Sequence, residues 1–172
     1  MESISTRRIT RSGIIALVYV VLTVTLPLSY GNVQLRLAEA LMLLCLFSKD
    51  YIYSLTVGCL VANIYVTSGI ADTAVGTLAT LAGALCIYLL RDRLNLLTAS
   101  IFPVVIKALS ISIKLKIIAN TPIRYSIRDV AIGEVICCTI LGGILIMALT
   151  RNKEFRRIIS DDIDNKSMQR YK

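Results

Sequence analysis

Histidine is absent from all 172 residues. That absence removes Ser–His hydrolases, His-ligated metalloproteases and His-dependent acyltransferases. No G-x-x-x-x-G-K-[ST] loop is present to cradle a nucleotide's phosphates, so any ATP-driven work falls to a partner. Cys45, Cys59, Cys86, Cys137 and Cys138 form no C-x-x-C pair and all lie in apolar runs, where cysteine acts as a small hydrophobe. Neither a disulfide framework nor a metal-ligand spacing emerges, and no cofactor is expected. The sequence also lacks internal repeats and low-complexity tracts. An enzyme is therefore not expected, which leaves binding or transport.

Charge is scarce as well, at 17% of residues against 56% hydrophobic, with mean hydropathy +0.73. A soluble domain carries about 25% charged residues. The apolar residues are clustered: "GIIALVYVVLTVTLPLSY", "YIYSLTVGCLVANIYV", "DTAVGTLATLAGALCIYLL" and "DVAIGEVICCTILGGILIMALT" approach or reach the roughly 20 residues that cross a bilayer. The reading is an all-α polytopic membrane protein of six spans, near 13–29, 34–48, 51–67, 72–90, 98–119 and 130–150. The "TRRITRSG" start resembles a secretory signal, but no A-x-A-like site follows Leu26, so the first helix is expected to be retained. Residues 1–150 form the membrane domain and 151–172 a polar tail. Thirteen of the nineteen Lys and Arg residues fall at the N-terminus, at Lys49, at Arg91 and Arg93, and in the tail. The positive-inside rule then puts both termini in the cytoplasm and connectors 30–33, 68–71 and 120–129 outside.

Two spans are irregular. The second offers about 16 residues, roughly 24 Å as α-helix, against a hydrocarbon core of about 30 Å. Pro103 removes a hydrogen bond from the fifth and is expected to kink it. The fourth carries Gly76, Ala79, Thr80, Gly83 and Ala84, small residues that let helices approach closely.

Polar residues inside such spans call for a reason, since an Asp, Lys or Arg at a helix centre costs about 2.5–3.5 kcal/mol. Arg36, Glu39, Asn63, Asp72, Lys107 and Glu134 come from five spans and fall in the same outer half, which suggests one polar pocket. Plainer roles exist for most of them. Asp72 fits an N-cap, Arg36 and Glu39 an i, i+3 pair, Asn63 a bond to a neighbouring helix, and Glu134 a partner for Arg124 or Arg128. Lys107 is too deep to reach water without a cavity.

The blocks "SYGNVQLRLAEALMLL", "GCLVANIY", "DTAVGTLATLAGAL", "IFPVV" and "GEV" resemble, in order and spacing, the QueT family, from about residue 12 to residue 150. The resemblance implies the substrate-binding S component of an energy-coupling factor (ECF) transporter in a bacterial cell membrane. Its partners would be a transmembrane T subunit and two ABC-type ATPases. The substrate would be a queuosine precursor, a 7-deazaguanine such as the aminomethyl compound or queuine. It carries substrate-binding roles onto Gln34, Arg36, Glu39, Asn63, Asp72 and Glu134, to which the depth argument adds Lys107. Glu39 and Glu134 are the favoured ligand-facing carboxylates. The chain departs from the family at Lys107, where an uncharged amide is expected. It also departs on the first helix, where an A-x-x-x-A coupling pattern is replaced by Ala16 and Val20, or Ser12 and Ala16. Rival readings are an S component for another vitamin or nucleoside, or a non-transporting scaffold subunit.

Overall fold

A computed structural model describes residues 2–25, 36–66, 69–119 and 122–152, all of whose elements are helical. In chain order they are α1 (Glu2–Thr25), a 3₁₀ segment (Leu37–Leu46), α2 (Asp50–Val66), α3 (Ile70–Leu90), α4 (Leu96–Ala119), α5 (Ile123–Glu134), a π segment (Val135–Leu141) and α6 (Gly142–Arg151). Gln34, connector 30–33 and the tail beyond 152 lie outside the described residues. Among the described residues four stretches are long and apolar enough to cross a membrane: Arg8–Thr25, Ile70–Leu90, Leu96–Ile117 and Ile123–Arg151. The 3₁₀ segment and α2 are shorter apolar helices. The all-α membrane class is as the sequence implies.

The short second span sits at the centre of the bundle. Every residue from Ala38 to Leu46 is buried, and the segment touches each of the other elements except α5 in force. A 3₁₀ helix rises about 2.0 Å per residue, so these ten residues reach about 20 Å where an α-helix would reach about 15 Å. The tighter winding stretches a short segment across more of the bundle. It also stacks side chains three apart in rows. One row contains Glu39, Met42 and Cys45, and another contains Ala40, Leu43 and Leu46.

Glycines set how near the outer helices come to this rod. A Cβ on Gly142 would stand 3.0 Å from the Ala40 carbonyl oxygen and 3.1 Å from Leu43. A Cβ on Gly83 would stand 3.0 Å from the Met42 methyl and 3.3 Å from Pro103. Pro103 thus lies at a close approach of α3 and α4, and α4 continues through it to Ala119. Gly76, Ala79, Thr80, Gly83 and Ala84 of α3 are all buried, so their stripe serves packing within the chain. Ala16 is used in the same way, its backbone lying against Gly58 of α2.

Three boundaries differ from the sequence reading. α1 begins at Glu2 rather than near 13, so the basic "TRR" is helical, and Arg8 pairs with Asp50 at 2.7 Å to tie α1 to α2. The stretch 120–129 is not simply a connector. From Ile123 it is the first two turns of α5, which buries Ser126 and Val130 and leaves Arg124 and Arg128 exposed. Asp72 is not the N-cap of α3, since Gly69 holds that position.

Apolar side chains cover the outside: Leu17 and Val21 on α1, Ile64 on α2, Leu78 on α3, and Ile101 and Leu109 on α4 are all exposed. In water such a surface would aggregate, whereas in lipid it is matched to its solvent. The arrangement makes a prediction about the central contacts. Gly142→Val should destabilise the detergent-purified protein by about 1–3 kcal/mol, through overpacking against a backbone that cannot yield. Gly13→Ala, which meets nothing within 4 Å, should leave the melting temperature unchanged or raise it. Equal melting temperatures for the Gly142 variant and the wild type would contradict this packing.

Candidate functional site

The end of the bundle opposite the Arg8–Asp50 pair gathers the charges. Glu39 lies one 3₁₀ turn before Met42 in the same row, and Lys107 lies one α-turn after Pro103 on α4. Met42 and Pro103 both rest on Gly83, so the next rung outward brings Glu39 and Lys107 together. They form an ion pair through Glu39 Oε1, and Lys107 Nζ also stands 3.8 Å from Glu134 Oε1. Burial is essentially complete, with 1% of Lys107, 0% of Glu39 and 3% of Glu134 exposed.

Glu134 owes its aim to the π segment that follows it. The buried positions Val130, Glu134, Cys138, Gly142 and Ile146 repeat every four residues. A straight α-helix drifts about 40° over each such step and would carry one end of the stripe off the core. The wider π turn takes up part of that drift. Glu134 therefore faces the cluster while Gly142, two steps on, still packs on Ala40. Thr139 donates to the Ser100 hydroxyl at 2.9 Å and fastens the π segment to α4.

Tyr19 completes this centre from α1. Its phenol donates to Glu39 Oε1 at 2.7 Å, the same oxygen that is ion-paired with the Lys107 ammonium. The sequence reading missed Tyr19. Its signal was a hydroxyl in the middle of "LVYVVL", well away from the ends where tyrosine usually marks a membrane interface.

A second group surrounds the first. Asn63 donates through Nδ2 to Cys59 Sγ at 3.3 Å, on its own helix. Cys59 Sγ lies 3.3 Å from Thr80 Oγ1, which donates to the Gly76 carbonyl at 3.0 Å. Gly76 makes room for the larger groups. A Cβ there would come within 2.7 Å of Asn63 Nδ2 and 3.9 Å of an Arg36 guanidinium nitrogen. Arg36, Asn63, Glu39, Lys107 and Glu134 thus belong to one locality. Asp72 pairs instead with Lys114 at 3.1 Å in a partly exposed position two turns along α4 from Lys107. Glu39 pairs with Lys107 rather than Arg36, and Glu134 with Lys107 rather than Arg124 or Arg128. Arg128 reaches its neighbour Asp129 at 3.2 Å.

The cluster is charge-matched but not hydrogen-bond-matched. Arg36 Nε, Glu39 Oε2, Glu134 Oε2, Thr77 Oγ1 and Ser112 Oγ are buried with no hydrogen-bond partner among the described residues, and Lys107 Nζ, though ion-paired, makes no well-aligned hydrogen bond. Buried polar atoms in native proteins are nearly always satisfied, and exceptions point to a missing partner or a function. Here two carboxylate acceptors and a guanidinium donor are left open at one place. That set suits a planar ligand offering two N–H groups and a carbonyl.

The chain matches the QueT transporter family over residues 9–151. It is 33% identical over 148 residues to the queuosine precursor transporter QueT of Lactococcus lactis subsp. cremoris (strain MG1363), covering 78% of this chain and 87% of the relative. No solved structure matches the chain.

Two substitutions test the centre itself. Lys107→Met strands two buried carboxylates and should cost about 3–5 kcal/mol of stability, as breaking a buried pair generally does. Tyr19→Phe removes one hydrogen bond to a charged group and should cost only about 1.5–3 kcal/mol. Thermal unfolding of the purified variants measures both. A Lys107→Met melting temperature at or above the Tyr19→Phe value would contradict the arrangement.

Proposed function

This chain belongs to the QueT transporter family, and from that premise we propose that it is the substrate-binding S component of an ECF-type importer for a queuosine precursor. The observation that carries the reading is the pair of unpartnered acceptors, Glu39 Oε2 and Glu134 Oε2, beside the unpartnered donor Arg36 Nε. A 7-deazaguanine presents N1–H and an exocyclic amine to carboxylates and a ring carbonyl to a donor. Charge-assisted hydrogen bonds of this kind are the stronger sort. A scaffold subunit would gain nothing from leaving such atoms open in lipid.

In this reading Glu39, Glu134 and Arg36 hold the ring edge, and Lys107, paired with both carboxylates, holds them in position. Asn63 lines the site, Asp72 with Lys114 forms the rim, and Gln34, outside the described residues, keeps the substrate-binding role that the family resemblance gives it. The protein sits in the cell membrane with the site toward the outside and both termini in the cytoplasm, where most of its basic residues fall. Without a nucleotide-binding loop of its own, it works with a T subunit and two ABC-type ATPases.

Equilibrium binding to purified protein tests the ligand half. Glu39→Gln and Glu134→Gln should each weaken binding of a 7-deazaguanine by about 2–5 kcal/mol, some thirty-fold and upward. Folded yield should stay near wild type, because Lys107 keeps its other carboxylate in each case. Unchanged affinity in both variants would return these residues to structure. Reconstitution tests the transport half. Liposomes holding this chain alone should bind the ligand without accumulating it, and accumulation against a gradient would contradict the need for an ATPase module.

A further inference from the structure

We propose that the site selects 7-deazaguanines whose 7-substituent is uncharged, and that Lys107 is the residue that sets this preference. The inference rests on the ligand reading above and adds the charge class of the substrate.

The charges at this end of the bundle balance among the described residues. The cluster holds two cations, the half-buried Arg36 and the buried Lys107, and two buried anions, Glu39 and Glu134. The stretches 26–35, 67–68 and 120–121 add no charged residue. Every negative charge at depth is therefore already balanced, and Lys107 alone engages both carboxylates through their Oε1 atoms. The oxygens left open are acceptors for neutral N–H groups, not an unmatched anion awaiting a cation. A ligand bearing an ammonium would raise the buried set to a net positive charge in a medium that screens little.

The approach to the site has the same sign. Lys114, Lys116, Arg124 and Arg128 stand against Asp72 and Asp129, and Lys114–Asp72 and Arg128–Asp129 are already paired. The rim is left with formal positive charge, which disfavours the arrival of a cation. Queuine carries a secondary amine that is also protonated near neutrality. The same count ranks it below a derivative with an uncharged group.

Competition binding of two 7-deazaguanines with one ring, differing only in a 7-aminomethyl or a 7-cyano group, tests this on the full chain. The wild type should bind the cyano compound at least about tenfold more tightly. Lys107→Gln leaves the buried set net negative and should move the ratio toward the aminomethyl compound. Glu134→Gln leaves it net positive and should widen the preference for the cyano compound. The double variant restores neutrality and should return the ratio to the wild-type value. A merely structural Lys107 would lower both affinities together and leave the ratio unmoved, which overturns the inference. If Lys107→Gln does not fold, Glu134→Gln carries the test in the opposite direction, because it leaves Lys107 paired with Glu39. Wild-type binding of the aminomethyl compound as tight as or tighter than the cyano compound overturns the inference while leaving the ligand site standing. Failure of folded wild-type protein to bind either ring overturns the queuosine-precursor reading and this inference with it.

Discussion

An ammonium held at membrane depth must be matched, because hydrocarbon neither solvates nor screens it. Lys107 is matched twice, by Glu39 from the central 3₁₀ segment and by Glu134 from the last span. Three elements far apart in sequence are fixed to one another by that demand. The Tyr19 phenol brings in a fourth, α1, through the same Glu39 oxygen. In water such pairs contribute little, since desolvation offsets most of the attraction. In a bilayer the alternative to pairing is a bare charge in lipid, so the ion triad specifies how the bundle closes.

The surrounding architecture serves the triad's geometry. A 3₁₀ segment stacks Glu39 over Met42, and Gly83 lets Met42 and Pro103 approach, so the next rung becomes the Glu39–Lys107 contact. The π segment keeps Glu134 in register with Gly142, whose missing side chain lets the last span lie on Ala40. One departure from α geometry carries Glu39, and the other begins directly after Glu134. Such irregular turns are often found where function fixes a side chain's direction.

Much of this was legible in the sequence. Clustered apolar runs gave the membrane class, and the scarcity of charge made Arg36, Glu39, Lys107 and Glu134 conspicuous. The blocks around Arg36 and Asp72 gave the family. The winding of the second span was not legible, because "LAEALMLLCL" is rich in strong α-formers and only burial on every side overrides that propensity. The π segment left no local mark, because "VICCTIL" reads as one more stretch of an apolar span. Tyr19 read as one more aromatic in an apolar run, its role depending on a partner twenty residues away. Asp72 suited an N-cap locally, but Lys114, distant in sequence, determines its pairing.

The central claim is that a ligand completes the hydrogen bonding of a buried, charge-balanced cluster. The most direct measurement is an experimental structure of the protein bound to a 7-deazaguanine. The account predicts the ring's N–H edge within hydrogen-bond distance of Glu39 Oε2 and Glu134 Oε2, with its carbonyl toward Arg36 and Lys107 still between the carboxylates. A ligand bound elsewhere, with those oxygens still open, would contradict it.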